Sequence, residues 1–183
     1  SAVAMDKDMS KIVFKQAGVQ TAEWLTVNNS EQNFESFIKD IKNRIGFPCI
    51  IKPNDQGSTV GLTLVKTESE VKDGIKLALQ YSSKALIEKY IPGRELTVAV
   101  LLNEALPVLE IIPKSGMYDY KHKYTSGMSD YIVPANIPED VAKKAQQQAL
   151  TAFNSIGCEG YSRVDFRMND KNELFCLEVN TLP

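Results

Sequence analysis

The chain has 183 residues and a mass of 20.4 kDa, enough to bury one ordinary core or two small ones without disulfide staples. Its 21 basic and 23 acidic side chains leave a formal net charge of −2, which excludes a general electrostatic pull toward nucleic acid or an anionic membrane, so any phosphate binding has to be local. No stretch approaches the roughly 20 apolar residues of a membrane span, Ser1 to Lys11 has no apolar signal core, and Cys49, Cys158 and Cys176 stand widely spaced among apolar neighbours, which reads as reduced core thiols in a cytoplasmic protein.

From the N-terminus, Asp6 to Gln16 carries Met9, Ile12 and Val13 at helical spacing and stops at Gly18, which predicts a short helix. Ser30 is suited to cap a second helix, in which Phe34, Phe37, Ile38 and Ile41 fall on one face. Pro48 to Lys52 reads as a short apolar strand, Pro53 to Thr59 as a polar loop and Val60 to Val65 as a further strand. Thr67 and Glu70 have the spacing of a capping box, opening a helix with Val71, Ile75, Ala78 and Leu79 on its stripe.

Ala85 to Ile112 is β-rich, with Leu86 to Glu88, Glu95 to Leu102, a turn at Asn103-Glu104 and Leu106 to Ile112 expected as antiparallel sheet. Pro113 to Asp130 is polar and aromatic without a period, which predicts a functional loop. A helix follows from about Pro138 to Phe153, with Val141, Ala145 and Ala149 as its stripe and Gly157 beyond its end. Tyr161 to Met168, a turn at Asn169 to Asn172, and Glu173 to Val179 complete a β-hairpin. The fold class is α+β with antiparallel sheets.

Chemistry concentrates in that hairpin. Arg163 and Asp165 are two apart on one strand, Glu178 and Asn180 two apart on the other, so each pair shares a face. A turn centred near Lys171-Asn172 sets Asp165 opposite Glu178, and two carboxylates facing each other across a sheet repel unless something positive sits between them. Magnesium, a hard cation that takes carboxylate oxygens and phosphates, suits that surface; a solvated face of ordinary charges is the bland alternative. Lys52 and the loop Asn54 to Gly61 combine a cation, hydroxyls, glycines and free backbone N–H groups, a composition that wraps phosphate oxygens, although the spacing is neither a Walker A nor a dinucleotide motif. Glu88-Lys89-Tyr90-Ile91 leaves a buried strand ahead of Pro92-Gly93-Arg94-Glu95, where backbone groups and two carboxylates emerge together.

Lys7, Lys52 in Ile-Ile-Lys-Pro, Gly57-Ser58-Thr59-Val60-Gly61, Glu88-Lys89-Tyr90, Tyr118-Asp119-Tyr120, Lys123-Tyr124, Arg163-Val164-Asp165 and Glu178-Val179-Asn180-Thr181 form an ordered set that spans nearly the whole chain. That set resembles the D-alanine:D-alanine ligases of the ATP-grasp superfamily. The resemblance implies an ATP-grasp fold of two small α+β lobes, roughly 1–90 and 91–183, with ATP held between them and a mobile loop at 114–130. It implies that Lys7 and Lys52 meet ATP phosphates under a lid carrying Ser58 and Thr59, that Glu88, Lys89 and Ile91 frame adenine, and that Glu95 accepts from the ribose. Asp165, Glu178 and Asn180 are implied to hold two Mg2+ or Mn2+ ions.

The implied reaction joins two D-alanines through an acyl phosphate for peptidoglycan precursor synthesis. Arg163 would stabilise the oxyanion, Ser58 and Lys123 would serve the transfer, and Tyr118 and Lys123 belong to the mobile loop that touches nucleotide. Tyr124 favours the dipeptide, because relatives that make the D-alanyl-D-lactate ester tend to carry Phe there. His122 receives no role. The alternatives are a ligase of the same superfamily that makes D-alanyl-D-lactate or D-alanyl-D-serine, and a non-catalytic nucleotide-binding module. The family's N-terminal domain and the segment after the final Pro have no counterpart here, so the chain is expected to be a fragment, inactive alone, of a homodimeric protein with no membrane or nucleic-acid partner.

Overall fold

The computed structural model describes residues 2–28, 34–113 and 129–182. Two compact units make up the chain: one is Met5–Asp8 with Ala22–Tyr90, the other Ser1–Ala4, Met9–Thr21 and Ile91–Pro183. The N-terminal helices are thus divided differently from a simple boundary at residue 90, because Phe14 and Val19 are buried in the same core as Leu96, Val164 and Phe166.

A short helix α1 (Ala2–Met5), not expected from the sequence, precedes the expected first helix, α2 (Lys7–Gln16). Its buried face is not the apolar set that the spacing picks out. Met9 and Ile12 are 44% and 37% exposed, whereas Ser10, Lys11 and Phe14 are buried. Polar groups are tolerated inside because each is bonded: Ser10 Oγ donates to the Val3 carbonyl at 2.6 Å, and Lys11 Nζ donates to Thr21 Oγ1 at 2.6 Å. Thr21 Oγ1 in turn donates to the Cys176 carbonyl at 2.8 Å.

The unit containing Ala22–Tyr90 is built on a four-stranded antiparallel sheet of β1 (Trp24–Asn28), β2 (Cys49–Pro53), β3 (Thr63–Val65) and β4 (Lys84–Lys89), in the order β1-β4-β2-β3. Strand β1 is absent from the sequence reading. Helix α3 (Phe34–Asp40), the π-turn Ile41–Ile45 and helix α4 (Val71–Leu79) supply apolar side chains to one face of this sheet, burying Ile41, Ile51, Val71, Ile75 and Ile87. The expected cap at Ser30 lies outside the described residues. The Thr67–Glu70 capping box is formed, with a 3₁₀ turn at Glu68–Glu70 leading into α4.

The expected strand Val60–Val65 is shortened to Thr63–Val65. A tight turn occupies its first half: the Val60 amide donates to the Gly57 carbonyl at 3.2 Å, with Ser58 and Thr59 both left-handed at φ 55° and 59°. Gly61 follows at φ 68°, and a Cβ there would lie 2.8 Å from the Tyr81 ring and 2.9 Å from Pro53, so only glycine fits.

In the other unit a six-stranded antiparallel sheet contains β5 (Arg94–Leu101), β6 (Glu104–Ala105), β7 (Leu109–Pro113), β8 (Ser129–Ile132), β9 (Tyr161–Met168) and β10 (Leu174–Asn180), in the order β10-β9-β5-β7-β8, with β6 on β5. Strands β4 and β5, expected in a single sheet, therefore lie in separate sheets. Helix α5 (Glu139–Ser155) buries Val141, Ala145, Ala149, Ala152 and Phe153 against Leu96, Val98, Val164, Phe166 and Cys176. Among the described residues no helix is long and apolar enough to cross a membrane. All three cysteines are free thiols; Cys49 and Cys176 are buried and Cys158 is half-buried.

Candidate functional site

The β9–β10 hairpin closes through Asn169, whose Oδ1 accepts from the amides of Lys171 at 3.0 Å and Glu173 at 2.9 Å, with Asn172 left-handed at φ 59°. Near the turn the strands pair Leu174 with Met168, Phe175 with Arg167 and Cys176 with Phe166; beyond it Glu178 faces Asp165, Val179 faces Val164 and Asn180 faces Arg163. Leu177 is the extra residue of a β-bulge.

That bulge decides which way the chemistry points. Leu174 and Cys176 face the core, and strict alternation would send Glu178 inward with them. With Leu177 inserted, Val179 takes the core position, and Glu178 and Asn180 lie on the opposite face. Asp165 does stand across from Glu178 as expected, but the turn is centred on Lys171 and the bulge supplies the missing residue of register.

On that face β9 presents Arg163, Asp165 and Arg167, and β5 presents Glu95, Thr97 and Ala99 in register with Arg167, Asp165 and Arg163. Asp165 is 5% exposed. Its carboxylate takes Arg163 Nε on Oδ1 at 2.9 Å and Nη2 on Oδ2 at 3.0 Å, Thr97 Oγ1 on Oδ1 at 2.7 Å, and Asn180 Nδ2 on Oδ2 at 2.9 Å. The positive group that the sequence requires beside the paired acids is thus, in this arrangement, the Arg163 guanidinium.

Among the described residues there is no group of three or more His, Cys, Asp and Glu disposed to hold a metal. Two carboxylates and an amide from Asp165, Glu178 and Asn180 are nevertheless an all-oxygen donor set matched to a hard divalent cation, provided that Arg163 gives up Asp165 and Asn180 turns its amide oxygen inward. The residues present fit such an ion in chemistry, and the two conditions state what has to move.

Arg167 is a neighbour for which the sequence predicts no role. Its Nε donates to the Ile91 carbonyl at 3.1 Å and its Nη2 to the Gly93 carbonyl at 2.8 Å, while Nη1 lies 3.8 Å from Glu95 Oε2. It fixes the backbone of the segment in which Ile91 was expected to frame a base, beside the carboxylate expected on a ribose. Gly93, at φ 121°, lets that backbone pass Met168, whose carbonyl oxygen would be 2.1 Å from a Cβ.

In the unit with Ala22–Tyr90, Lys52 on β2 and Glu88 on β4 share the face turned away from Ile51 and Ile87, and their side chains form an ion pair at 2.5 Å, both largely buried. Lys52, expected on phosphate, is therefore engaged by the carboxylate expected beside adenine. Lys7 Nζ donates to the Gln56 carbonyl at 2.6 Å, which ties it to the loop that carries Ser58 and Thr59. Asn54 holds this geometry from beneath: its Oδ1 accepts from the Asp8 amide at 2.9 Å, its Nδ2 donates to Asp6 at 2.8 Å, and its carbonyl accepts from the Lys7 amide at 3.1 Å. Lys89 is exposed, its amide bonded to the Glu23 carbonyl at 2.9 Å. Tyr118, His122, Lys123 and Tyr124 lie outside the described residues.

Thr97 and Arg167 carry no expectation from the sequence, and Asn54, expected in the phosphate-wrapping loop, ties Asp6, Lys7 and Asp8 to that loop. The alternation that exposes Arg163 and Asp165 on one face extends to Arg167 and offered a signal; the pairing of Thr97 with Asp165 links residues far apart in the chain and offered none.

Two α+β units on antiparallel sheets, one with a buried lysine beside a glycine loop and the other with paired acids on a hairpin face, define an ATP-grasp fold, and the solved structures that resemble the chain agree. The VanG D-Ala:D-Ser ligase from Enterococcus faecalis matches all of this chain and 53% of its own at TM-score 0.86 and 34% identity; the D-alanine-D-alanine ligase from Coxiella burnetii matches all of this chain and 48% of its own at TM-score 0.84 and 29% identity. A family model described as "D-ala D-ala ligase C-terminus" matches residues 13–183, and the chain belongs to that family. The D-alanine--D-alanine ligases of Halalkalibacterium halodurans and Desulforamulus reducens are 44% and 40% identical across the whole chain, and the chain spans 60% of the length of each.

Proposed function

We propose that the chain is the nucleotide- and metal-handling part of an ATP-dependent carboxylate–amine ligase that joins two D-alanines. The observation that carries this reading is the hairpin face itself, where a bulge turns Glu178 and Asn180 outward to join Asp165 and Arg163. A globular core has no need of opposed carboxylates there, and a ligase that handles ATP phosphates does.

In this reading Asp165, Glu178 and Asn180 hold Mg2+ or Mn2+, and Lys7, Lys52, Ser58 and Thr59 surround the phosphates. The bound cation neutralises charge on the transferring phosphoryl group, where catalysis is mainly positioning and electrostatic stabilisation. Lys52 exchanges Glu88 for phosphate, leaving the Glu88 carboxylate to the exocyclic amine of adenine, with Lys89 and Ile91 alongside. Glu95 accepts from a ribose hydroxyl while Arg167 keeps its segment in position. Arg163, once off Asp165, meets the oxyanion that forms when the second amine attacks the acyl phosphate. Tyr118, Lys123 and Tyr124 are assigned to the loop that excludes water from that intermediate. The cellular role that follows is supply of the peptidoglycan dipeptide from the cytoplasm, by a homodimer.

The test is ADP formation by a protein of the relatives' full length carrying this chain, with ATP, magnesium and D-alanine. Dependence on D-alanine is expected, together with its loss in Asp165→Asn; ATP binding without D-alanine-dependent ADP release overturns the reading in favour of a non-catalytic nucleotide module. Likeness to the VanG D-Ala:D-Ser ligase favours one second reading, a D-serine acceptor. Assaying D-alanine, D-serine and D-lactate as acceptors separates these, and D-alanine is expected to lead.

A further inference from the structure

We propose that Thr97 is a positioning residue for Asp165: its hydroxyl holds one carboxylate oxygen so that the other is presented to the divalent cation. The inference rests on the reading of Asp165 as a metal ligand and extends it to a residue on a different strand.

Thr97 stands directly across from Asp165 in the β5–β9 register and is 6% exposed. Its Oγ1 lies 2.7 Å from Asp165 Oδ1 and 3.3 Å from the Val164 carbonyl. A hydroxyl has one proton to give, and the closer, charged oxygen takes it. Asp165 also accepts from Nε and Nη2 of Arg163 and from the amide of Asn180, so four donors fill the roughly four acceptor positions that a carboxylate offers. A cation can ligate Asp165 only after some of them leave.

Chemistry selects which ones leave. Arg163 carries the same sign of charge as the incoming cation, and its side chain is 37% exposed. Asn180 has to rotate its amide, since NH2 repels a cation and oxygen binds one. Both vacate Oδ2, and Arg163 also vacates Oδ1. Thr97 has no charge, is stiff at χ1, and sits on a strand paired on both sides. Its bond to Oδ1 persists, and it is the contact that keeps the carboxylate plane fixed while the other donors exchange. Partners of this kind, which orient a ligand without touching the metal, typically contribute ten- to a hundredfold to metal affinity.

The experiment titrates Mn2+ alone into this chain and reads the free-ion signal by electron paramagnetic resonance, with thermal melts in the absence of metal alongside. Thr97→Val is expected to weaken Mn2+ binding about tenfold or more, and Thr97→Ser, which restores the hydroxyl, to stay within about twofold of the parent. Thr97→Ala removes the hydroxyl without a new methyl and replaces Thr97→Val if that variant does not fold. Unchanged Mn2+ affinity in the hydroxyl-free variants, even with a lowered melting temperature, overturns the proposal. Asp165→Asn separates the two layers: if it binds Mn2+ as the parent does, or if the parent takes up none, the assignment of Asp165 as a ligand fails and the role of Thr97 fails with it.

Discussion

Cys176 shows how burial governs a single side chain. It lies under the hairpin with no exposure, and desolvation is the main cause that pushes its thiol far above the ordinary range. Cys49 is pushed up to about 11 by the same cause, and burial also raises Cys158, which is only half-buried. Thiolate is the reactive form. Native protein treated with iodoacetamide at neutral pH is therefore expected to be modified at Cys158 first and to leave Cys49 and Cys176 intact by mass spectrometry; early labelling of Cys176 would contradict its placement in the core. Apolar neighbours predict all three thiols in the core, and the exception, Cys158, lies just past the end of α5.

At the scale of elements the β10 bulge and the α4 cap make opposite demands on sequence. Deleting Leu177 places Glu178 directly after Cys176, so strict alternation leaves Glu178 and Asn180 on the outer face and Val179 in the core, and the variant is expected to keep its fold and its Mn2+ binding. A deletion variant that loses about 3 kcal/mol or more of denaturant stability, or its Mn2+ binding, contradicts the reading of the bulge as a change of phase alone. Residues 174–180 carry no local mark for it, since Leu177 is an unremarkable strand residue, so the correct pairing of Asp165 with Glu178 was anticipated from a turn centre that is off by half a residue. The capping box, by contrast, was legible because its spacing is local. Glu70 accepts from the amides of Lys66 at 2.6 Å and Thr67 at 3.0 Å, and these bonds hold its carboxyl below the ordinary value. A folded pKa below the unfolded one contributes stability that is present above the unfolded value, about 4.3, and is lost as pH falls through the folded one. The parent is therefore expected to lose stability relative to Glu70→Gln as pH drops below about 5; parallel pH–stability curves would rule the cap's charge out as a contributor.

At the scale of the whole molecule, the two units each have their own sheet and core, and chain order does not fully predict membership. Met9–Thr21 is counted with Ile91–Pro183 because Phe14 and Val19 fill the core that Phe166 and Leu96 line. Phe166→Ala is expected to cost about 3–5 kcal/mol and to raise amide hydrogen exchange in Met9–Thr21 as it does in β5 and β9; no change in Met9–Thr21 would detach that segment from the core. Helical periodicity was legible in α2, yet its buried face was not. Ser10 and Lys11 look like surface residues until Val3 and Thr21, brought close by folding, supply their partners. The same limit applied to Thr97 and Arg167, whose roles come from sheet pairings between distant segments.

The central claim is that the face formed by Asp165, Glu178 and Asn180 receives a divalent cation for nucleotide chemistry. A crystal structure of this chain with magnesium and a non-hydrolysable ATP analogue tests it most directly. The account predicts magnesium ligated by Asp165, Glu178 and the Asn180 amide oxygen, with the Arg163 guanidinium turned off Asp165 and Thr97 still bonded to it. Nucleotide bound while Arg163 remains bidentate on Asp165, with no metal at the three residues, would contradict it.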